Sequence, residues 1–213
     1  LGKLYELAAR DTEALTEYTA FLAQSGDDPR ASGIRRRLIR YYENKNQADK
    51  VLEQYRALCR LEPANLQARQ GLADALYKQS AFDESFVEYQ KALSLDPNNA
   101  AVHLNIGFIF KMKGNLEDAE REVRLADSLN PGTARTVYLL GSIQFERGDF
   151  PGAASSFERT IAIEPEHQQA HYHLSRALAR LGRQEDARRE LQIHQEIMRK
   201  AEAKSSSPTM ERP

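Results

Sequence analysis

The chain has few of the residues that indicate a disulfide framework or a membrane span. Its 213 residues include one cysteine and no tryptophan, and aromatic residues make up 8%. A single cysteine cannot form an internal disulfide, and Cys59 lies in an apolar run, where we expect a small buried hydrophobe rather than a reactive thiol. No apolar run approaches the ~20 residues that a membrane-spanning helix needs, so we expect a soluble chain.

The chain also lacks an excess of charge of either sign. The net charge of −1 provides no overall attraction to nucleic acid or to an anionic membrane, and we expect no nucleic-acid partner. The chain contains no Gly-x-Ser-x-Gly elbow, no glycine-rich phosphate loop and no His-Glu-x-x-His motif. We therefore expect no enzyme activity. The sequence does not identify the compartment, and the cytoplasm and the periplasm both stay open.

What the chain does have is a period of 34 residues. It separates Pro63, Pro97, Pro131 and Pro165, and each of these prolines ends a similar phrase of an aliphatic residue followed by an acidic residue or asparagine. The same interval separates Gly114, Gly148 and Gly182, where a positive φ would end a first helix. Asn115 and Asp149 follow as N-caps of a second helix. A fixed period of this length indicates a stacked array of repeats.

Small and large residues recur with the same period. Small residues in the first helix are Ala73, Gly107, Gly141 and Ser175, and in the second helix Ser85, Ala119, Ala153 and Ala187. Large residues of the second helix are Tyr55, Tyr89, Val123, Phe157 and Leu191. Spacings of three and four residues place them on one helix face, where a small residue lets two antiparallel helices approach closely.

This pattern resembles the tetratricopeptide repeat family. The third repeat matches it with Asn105-Ile106-Gly107, Phe110, Gly114, Ala119, Ala126 and Pro131, and the fourth with Leu140-Gly141, Gly148-Asp149-Phe150, Ala153, Phe157 and Pro165. The first full repeat departs from it at Ile39, Asn46 and Val51, and the fifth has Arg199 in place of the proline. The resemblance implies an all-α, right-handed superhelical solenoid of antiparallel helix hairpins.

The proline register divides the chain into repeats. We expect a partial N-terminal hairpin at 1–31, full repeats at 32–65, 66–99, 100–133 and 134–167, a C-terminal capping hairpin at 168–203, and a disordered tail at 204–213. Leu1-Gly2 and Tyr5 match the middle of a first helix, with 25–28 as a short insertion before Pro29. On this interpretation the chain is a fragment that continues upstream.

The family resemblance also implies a function, namely a scaffold that binds a protein or peptide partner along its first helices. The corresponding residues are Arg36, Arg37, Arg40, Asp74, Tyr77, Lys78, Leu104, Asn105, Phe108, Lys111, Met112, Arg135, Tyr138, Ser142, Phe145, Tyr172, His173, Arg176 and Arg180. If Glu43 and Glu146 are included, these first-helix positions carry eight basic and three acidic residues. Their summed charge is about +5, in a chain whose net charge is −1. Arginines and aromatic residues together favour an extended, acidic partner segment.

Two alternatives stay open. The chain could be a structural subunit that forms a homo-oligomer or an envelope complex through its end repeats or its opposite face, or a substrate-recruiting domain of a larger enzyme. The clamp with which some family members bind chaperone C-termini is not preserved, because its places hold Arg36, Arg40, Gly71, Ala101 and Asn105.

Histidines provide the one pattern that could suggest a metal. His167, His171 and His173 are closely spaced, but no cysteine or carboxylate completes a ligand set, and His171 takes the same repeat place as His103. We interpret that place as one of helix packing and expect no metal and no cofactor.

Overall fold

The computed structural model describes residues 11–25 and 28–206, and these residues form α-helices and no β-strand. The helices are α1 (Asp11–Ser25), α2 (Pro29–Asn44), α3 (Ala48–Leu61), α4 (Leu66–Lys78), α5 (Phe82–Leu95), α6 (Ala100–Met112), α7 (Leu116–Leu129), α8 (Ala134–Glu146), α9 (Phe150–Ile163), α10 (Gln168–Arg180) and α11 (Gln184–Ser206). The expected all-α class is confirmed.

The chain consists of two compact units, unit 1 up to Pro97 and unit 2 from Asn98. In unit 1, α2 packs against α3 and α4 against α5, while α3 contacts α4 and α1 contacts α2. In unit 2 the packed pairs are α6–α7, α8–α9 and α10–α11, and α8 also contacts both α6 and α10. Turns of a few residues join the partners of each pair, so the pairs are antiparallel hairpins.

Left-handed residues end the first helix of every hairpin from α2 onward. The predicted glycines have positive φ, 78° at Gly114, 83° at Gly148 and 79° at Gly182. The same place holds Asn46 (φ 53°) and Ser80 (φ 61°) in the two earlier repeats. Asparagine and serine are less suited than glycine to this conformation. The backbone therefore keeps the 34-residue period even in the two repeats that lack the glycine.

The predicted caps differ in their chemistry. Asp149 caps α9, and its side chain accepts a hydrogen bond from the backbone N–H of Gly152 at 3.0 Å. Asn115 stands at the N-cap of α7 but makes no capping hydrogen bond through its side chain. The predicted N-cap position is therefore confirmed at both residues, and only Asp149 makes a side-chain capping bond.

The α6–α7 and α8–α9 hairpins are each held at a crossing where a glycine faces a large residue. A Cβ added to Gly141 would lie 2.8 Å from Phe157 Cε1 and 3.1 Å from Ser156 Cβ, and one added to Gly107 would lie 2.5 Å from Val123 Cγ2. Phe157 and Val123 are fully buried. The distance between α8 and α9 therefore depends on the missing side chain at Gly141.

A polar contact with the same period joins the two helices of four hairpins. The pairs, each separated by 19 residues, are Arg35–Gln54 (2.8 Å), Arg69–Glu88 (3.0 Å), His103–Glu122 (2.7 Å) and His171–Glu190 (2.7 Å). His103 and His171 are buried. The interpretation of their shared place as one of helix packing is thus supported by a specific partner in each case.

Cys59 is also buried, at 6% exposure, and burial raises the pKa of its thiol. This agrees with the expected inert role. None of the helices in the described part of the chain is both long enough and apolar enough to cross a membrane.

At the C-terminal end, Leu191 was expected in the core with Phe157 but is 38% exposed, because α11 packs mainly against α10. α11 continues to Ser206, three residues past the expected end of the C-terminal hairpin at 203. Leu1-Gly2 and Tyr5, the insertion residues 26–27 and the rest of the tail expected at 204–213 lie outside the described residues.

Replacing Gly141 with leucine tests the crossing. The new side chain would meet the buried ring of Phe157, and we expect overpacking to lower the free energy of unfolding by about 1–3 kcal/mol. The control is Gly33→Leu on α2, where an added Cβ meets nothing within 4 Å and removal of a helical glycine gains up to about 1 kcal/mol. Thermal unfolding followed by circular dichroism measures both, and an unchanged melting temperature for Gly141→Leu would contradict the assigned packing.

Candidate functional site

Unit 2 brings many of the predicted site residues onto one surface. α8 lies beside α6 and α10, the first helices of the neighbouring hairpins, so side chains of all three helices meet. We call this surface the unit 2 face, and it consists of Phe108, Lys111, Arg135, Tyr138, Phe145, Tyr172, His173, Arg176 and Arg180. These residues are half-buried or exposed.

Three arginines of the unit 2 face are stacked on aromatic rings. The guanidinium carbon of Arg135 lies 5.2 Å from the ring centroid of Phe108. That of Arg176 lies 4.9 Å from the ring centroid of Phe145 and 5.7 Å from that of Tyr172. Arg180 lies 5.3 Å from the ring centroid of Phe150. Each such contact contributes about 0.5–2 kcal/mol, depending on how far the pair is removed from water.

These guanidinium groups are also unneutralised. In residues 11–25 and 28–206, no carboxylate forms an ion pair with Arg135, Arg176 or Arg180. Stacking uses the flat face of a guanidinium and leaves its N–H donors at the edge, where they match the two oxygens of a carboxylate. Lys111 differs, because its Nζ lies 2.5 Å from the carboxylate of Glu146. The available positive charge of the face therefore belongs to the three arginines.

The centre of the unit 2 face is a cluster of rings around His173. Its imidazole stacks on the buried ring of Phe157, with centroids 5.6 Å apart, and lies 5.9 Å from Tyr138 and 5.2 Å from Tyr172. Burial, followed by the positive charges of Arg176 and Lys111, lowers the pKa of His173. The site therefore favours a neutral imidazole at pH 7. Burial likewise raises the pKa of the Tyr138 hydroxyl.

The other predicted residues of unit 2 are placed less uniformly. Leu104 is only 7% exposed and packs in the core with Ala119 and Leu139, so its prediction as a surface contact was wrong. Asn105 and Ser142 are half-buried, and Met112 is 59% exposed. Leu104 belongs to a core cluster with residues of α7 and α8, which spacing along α6 alone does not reveal.

The predicted residues of unit 1 are partly occupied by internal contacts. Arg36 donates to the carboxylate of Glu62 at 2.5 Å, and Asp74 accepts a hydrogen bond from the hydroxyl of Tyr89. Tyr77 packs edge-on against Phe82, with ring centroids 5.4 Å apart. Of the remaining predicted residues in unit 1, Lys78 is exposed. Arg37 and Arg40 line a cleft of about 360 Å³ between α1 and α2.

Two further residues belong beside the unit 2 face and were missed from the sequence. Phe150 supports Arg180 but stands in the first turn of α9, and the expectation was limited to first helices. His167 lies in the turn before α10, where its ring centroid is 4.9 Å from that of Tyr138. The sequence did contain a signal for Phe150. It directly follows the capping Asp149, so only the short turn after Glu146 separates it from the preceding helix α8.

The histidines do not assemble a metal site. His103 and His171 each contact a glutamate, and His167 accepts a hydrogen bond from the backbone N–H of Ala170 at 3.1 Å. Across the described ranges, no three side chains of histidine, cysteine, aspartate or glutamate converge as metal ligands would.

Family models match two stretches of the chain. One described as "TPR repeat" matches residues 73–114, and one described as "Tetratricopeptide repeat" matches residues 138–197. The stretches lie in successive parts of the 34-residue pattern and include the crossings at Gly107 and Gly141.

Curated relatives share the repeats over part of their length. The chain is 30% identical over 110 residues to DnaJ homolog subfamily C member 7 of Mus musculus, which is 50% of this chain and 22% of that protein. It is 27% identical over 173 residues to Protein O-mannosyl-transferase TMTC1 of Homo sapiens, 78% of this chain and 19% of that protein. The chain thus spans about a fifth of the length of these relatives.

Solved structures share the fold. MamA of Desulfovibrio magneticus RS-1 superposes with a TM-score of 0.74 at 17% identity, covering 79% of this chain and 96% of that one. YrrB, described as a TPR protein with an unusual peptide-binding site, gives a TM-score of 0.67 at 18% identity and covers 84% and 91%. Identities this low show the fold alone. The sequence matches at residues 73–114 and 138–197 are to models of the tetratricopeptide repeat, and the described helices keep the 34-residue hairpin pattern of that repeat.

Proposed function

We propose that the chain is a protein-interaction scaffold that binds an acidic, extended segment of a partner protein on the unit 2 face. Tetratricopeptide-repeat proteins bind protein partners, and the extended surface of a repeat array suits this role. The observation that carries the proposal is the set of three arginines, Arg135, Arg176 and Arg180, stacked on rings and without a carboxylate partner in the described residues.

The physical argument rests on preorganisation. An arginine side chain loses conformational freedom when it binds a ligand, at a cost of about 0.5–1.5 kcal/mol. Stacking on Phe108, Phe145 or Phe150 restricts the arginine before the ligand arrives. Apolar side chains of the segment would then contact Tyr138 and Tyr172, so the charges would speed association and the rings would slow dissociation.

YrrB supports the proposal at the level of the fold. Its description assigns a peptide-binding site to that protein, and the two chains share the hairpin array at 18% identity. The same fold can therefore present a peptide-binding surface, while the residues of the unit 2 face are those of this chain.

A random peptide library selected against the whole chain tests the proposal. We expect enrichment of aspartate and glutamate, because Arg176 and Arg180 would bind their carboxylates. Charge reversal by Arg176→Glu and Arg180→Glu should slow association of a selected peptide by tenfold or more and weaken its dependence on salt. Phe145→Ala should chiefly speed dissociation, measured by surface plasmon resonance.

The matched control is Arg188→Glu with Arg189→Glu on α11. Both arginines are exposed and pair with acidic residues of their own helix, so the same change in net charge should leave binding nearly unaltered. Neutral or basic selected peptides, or equal binding by both charge-reversed variants, would contradict the proposal. A footprint confined to the second helices of the hairpins would favour the assembly alternative instead.

His173 should report whether the site is occupied. The positive charges of Arg176 and Lys111 contribute to its lowered pKa, so a carboxylate bound beside Arg176 should raise that pKa. By linkage, the peptide should bind more tightly as the pH falls through the pKa of His173, until its own carboxylates are protonated.

NMR titration of the imidazole, free and saturated with a selected peptide, measures this shift. Arg176→Gln should raise the pKa of His173 in the free protein in the same direction, which checks the assumed cause. An unchanged pKa on saturation would place the peptide away from the unit 2 face.

A further inference from the structure

Unit 1 contains a cleft whose chemistry differs from that of the unit 2 face. It has a volume of about 280 Å³ and lies between the α2–α3 hairpin and α4. Tyr42 and Glu43 line it from the end of α2, Tyr55 from α3, and Asp74 and Lys78 from α4. We call it the Tyr55 cleft.

The shape of the Tyr55 cleft depends on Gly71. A Cβ at this position would lie 2.5 Å from Cζ and 2.7 Å from the hydroxyl oxygen of Tyr55. The next repeats have Asn105, Leu139 and His173 at the same place. The glycine therefore allows the ring of Tyr55 to lie directly against α4.

Two carboxylates and one ammonium group line the Tyr55 cleft, those of Glu43, Asp74 and Lys78. Glu43 is exposed, and its carboxylate has no hydrogen bond or ion pair in the described structure, while Asp74 is half-buried and accepts a hydrogen bond from the hydroxyl of Tyr89. Both charges act at Tyr55, where they add to the effect of burial in raising the pKa of the phenol. Lys78 lines the same cleft from α4.

The aromatic wall already contacts one cation of the chain. Nζ of Lys50 lies 5.1 Å from the ring centroid of Tyr42. A positive group near a tyrosine face is stabilised by the negative potential of the ring, and more strongly once water is displaced. The Tyr55 cleft thus combines two features that stabilise a cation, tyrosine rings and two carboxylates.

Its size limits the ligand. Pockets for drug-sized ligands have volumes of about 300–1,000 Å³, and the Tyr55 cleft at about 280 Å³ is smaller. We propose that the Tyr55 cleft binds a single lysine or arginine side chain of a partner protein. Its aliphatic stem lies along the ring of Tyr55, and its charged end reaches Glu43 and Asp74. This site is independent of the unit 2 face, which has the opposite charge.

The test uses the whole chain and small probes. N-acetyl-argininamide and N-acetyl-lysinamide are titrated into the ¹⁵N-labelled protein, beside the neutral N-acetyl-glutaminamide and N-acetyl-norleucinamide. We expect saturable shifts of the amides of Glu43, Tyr55 and Asp74 with the two cations, with a Kd on the order of millimolar for so few contacts. Equal shifts with the neutral probes, or none with the cations, would overturn the proposal.

Variants distinguish the cleft from general attraction. Glu43→Gln together with Asp74→Asn should weaken binding of N-acetyl-argininamide by tenfold or more. Glu43→Gln alone, at an exposed position, should retain the fold and weaken binding several-fold. Glu158→Gln, an exposed position on α9, makes the same change in charge as the single variant and should have no effect.

Wild-type affinity in the double variant would also overturn the proposal. Because Arg176→Glu and Arg180→Glu leave unit 1 unchanged, that pair should bind the cationic probes normally. Loss of the unit 2 peptide and loss of the cation are therefore separately observable.

Discussion

The distance between paired helices is the constraint on which the rest of this structure depends. At Gly141 a single added carbon would lie 2.8 Å from the ring of the fully buried Phe157, and the same relation holds between Gly107 and Val123. Close approach of helices buries the large side chain without a cavity, and well-packed interiors tolerate little added volume. Because the crossing recurs every 34 residues, α8 has hairpins on both sides, and α6 and α10 present their outward residues beside its own.

A regular backbone then carries side chains that differ from repeat to repeat. The repeat place of Gly71 holds His173 in the fifth repeat, which packs on Phe157 and Tyr138, whereas the glycine itself leaves room for the ring of Tyr55. One place in the array thus produces a ring cluster beside arginines in unit 2 and an aromatic cleft with carboxylates in unit 1. Two kinds of charged ligand on one repeat scaffold would follow from this variation.

Much of the fold could be predicted from the sequence because its determinants are local. A positive φ at Gly148 and the cap at Asp149 each depend on residues a few positions away, and their 34-residue recurrence makes them visible in one chain. Predictions failed where burial depends on a neighbouring helix. Leu104 is buried by contacts with α8, and Leu191 is exposed because α11 packs mainly against α10. The spacing of a helix predicts its apolar face but not how much of that face a neighbour covers.

The sequence by itself determined the repeat length, the all-α class, the turn positions and the types of residue on the first helices. Tertiary structure decided which of the predicted cations form an ion pair within the chain. Arg36 is paired with Glu62 and Lys111 with Glu146, whereas Arg176 lies over aromatic rings and pairs with no carboxylate of the described residues. A count of charges from the sequence does not distinguish a cation that is already paired from one that is not. Only the packing of helices distant in sequence brings a carboxylate to one cation and a ring to another, and the strength of either contact depends on distances of a few ångströms.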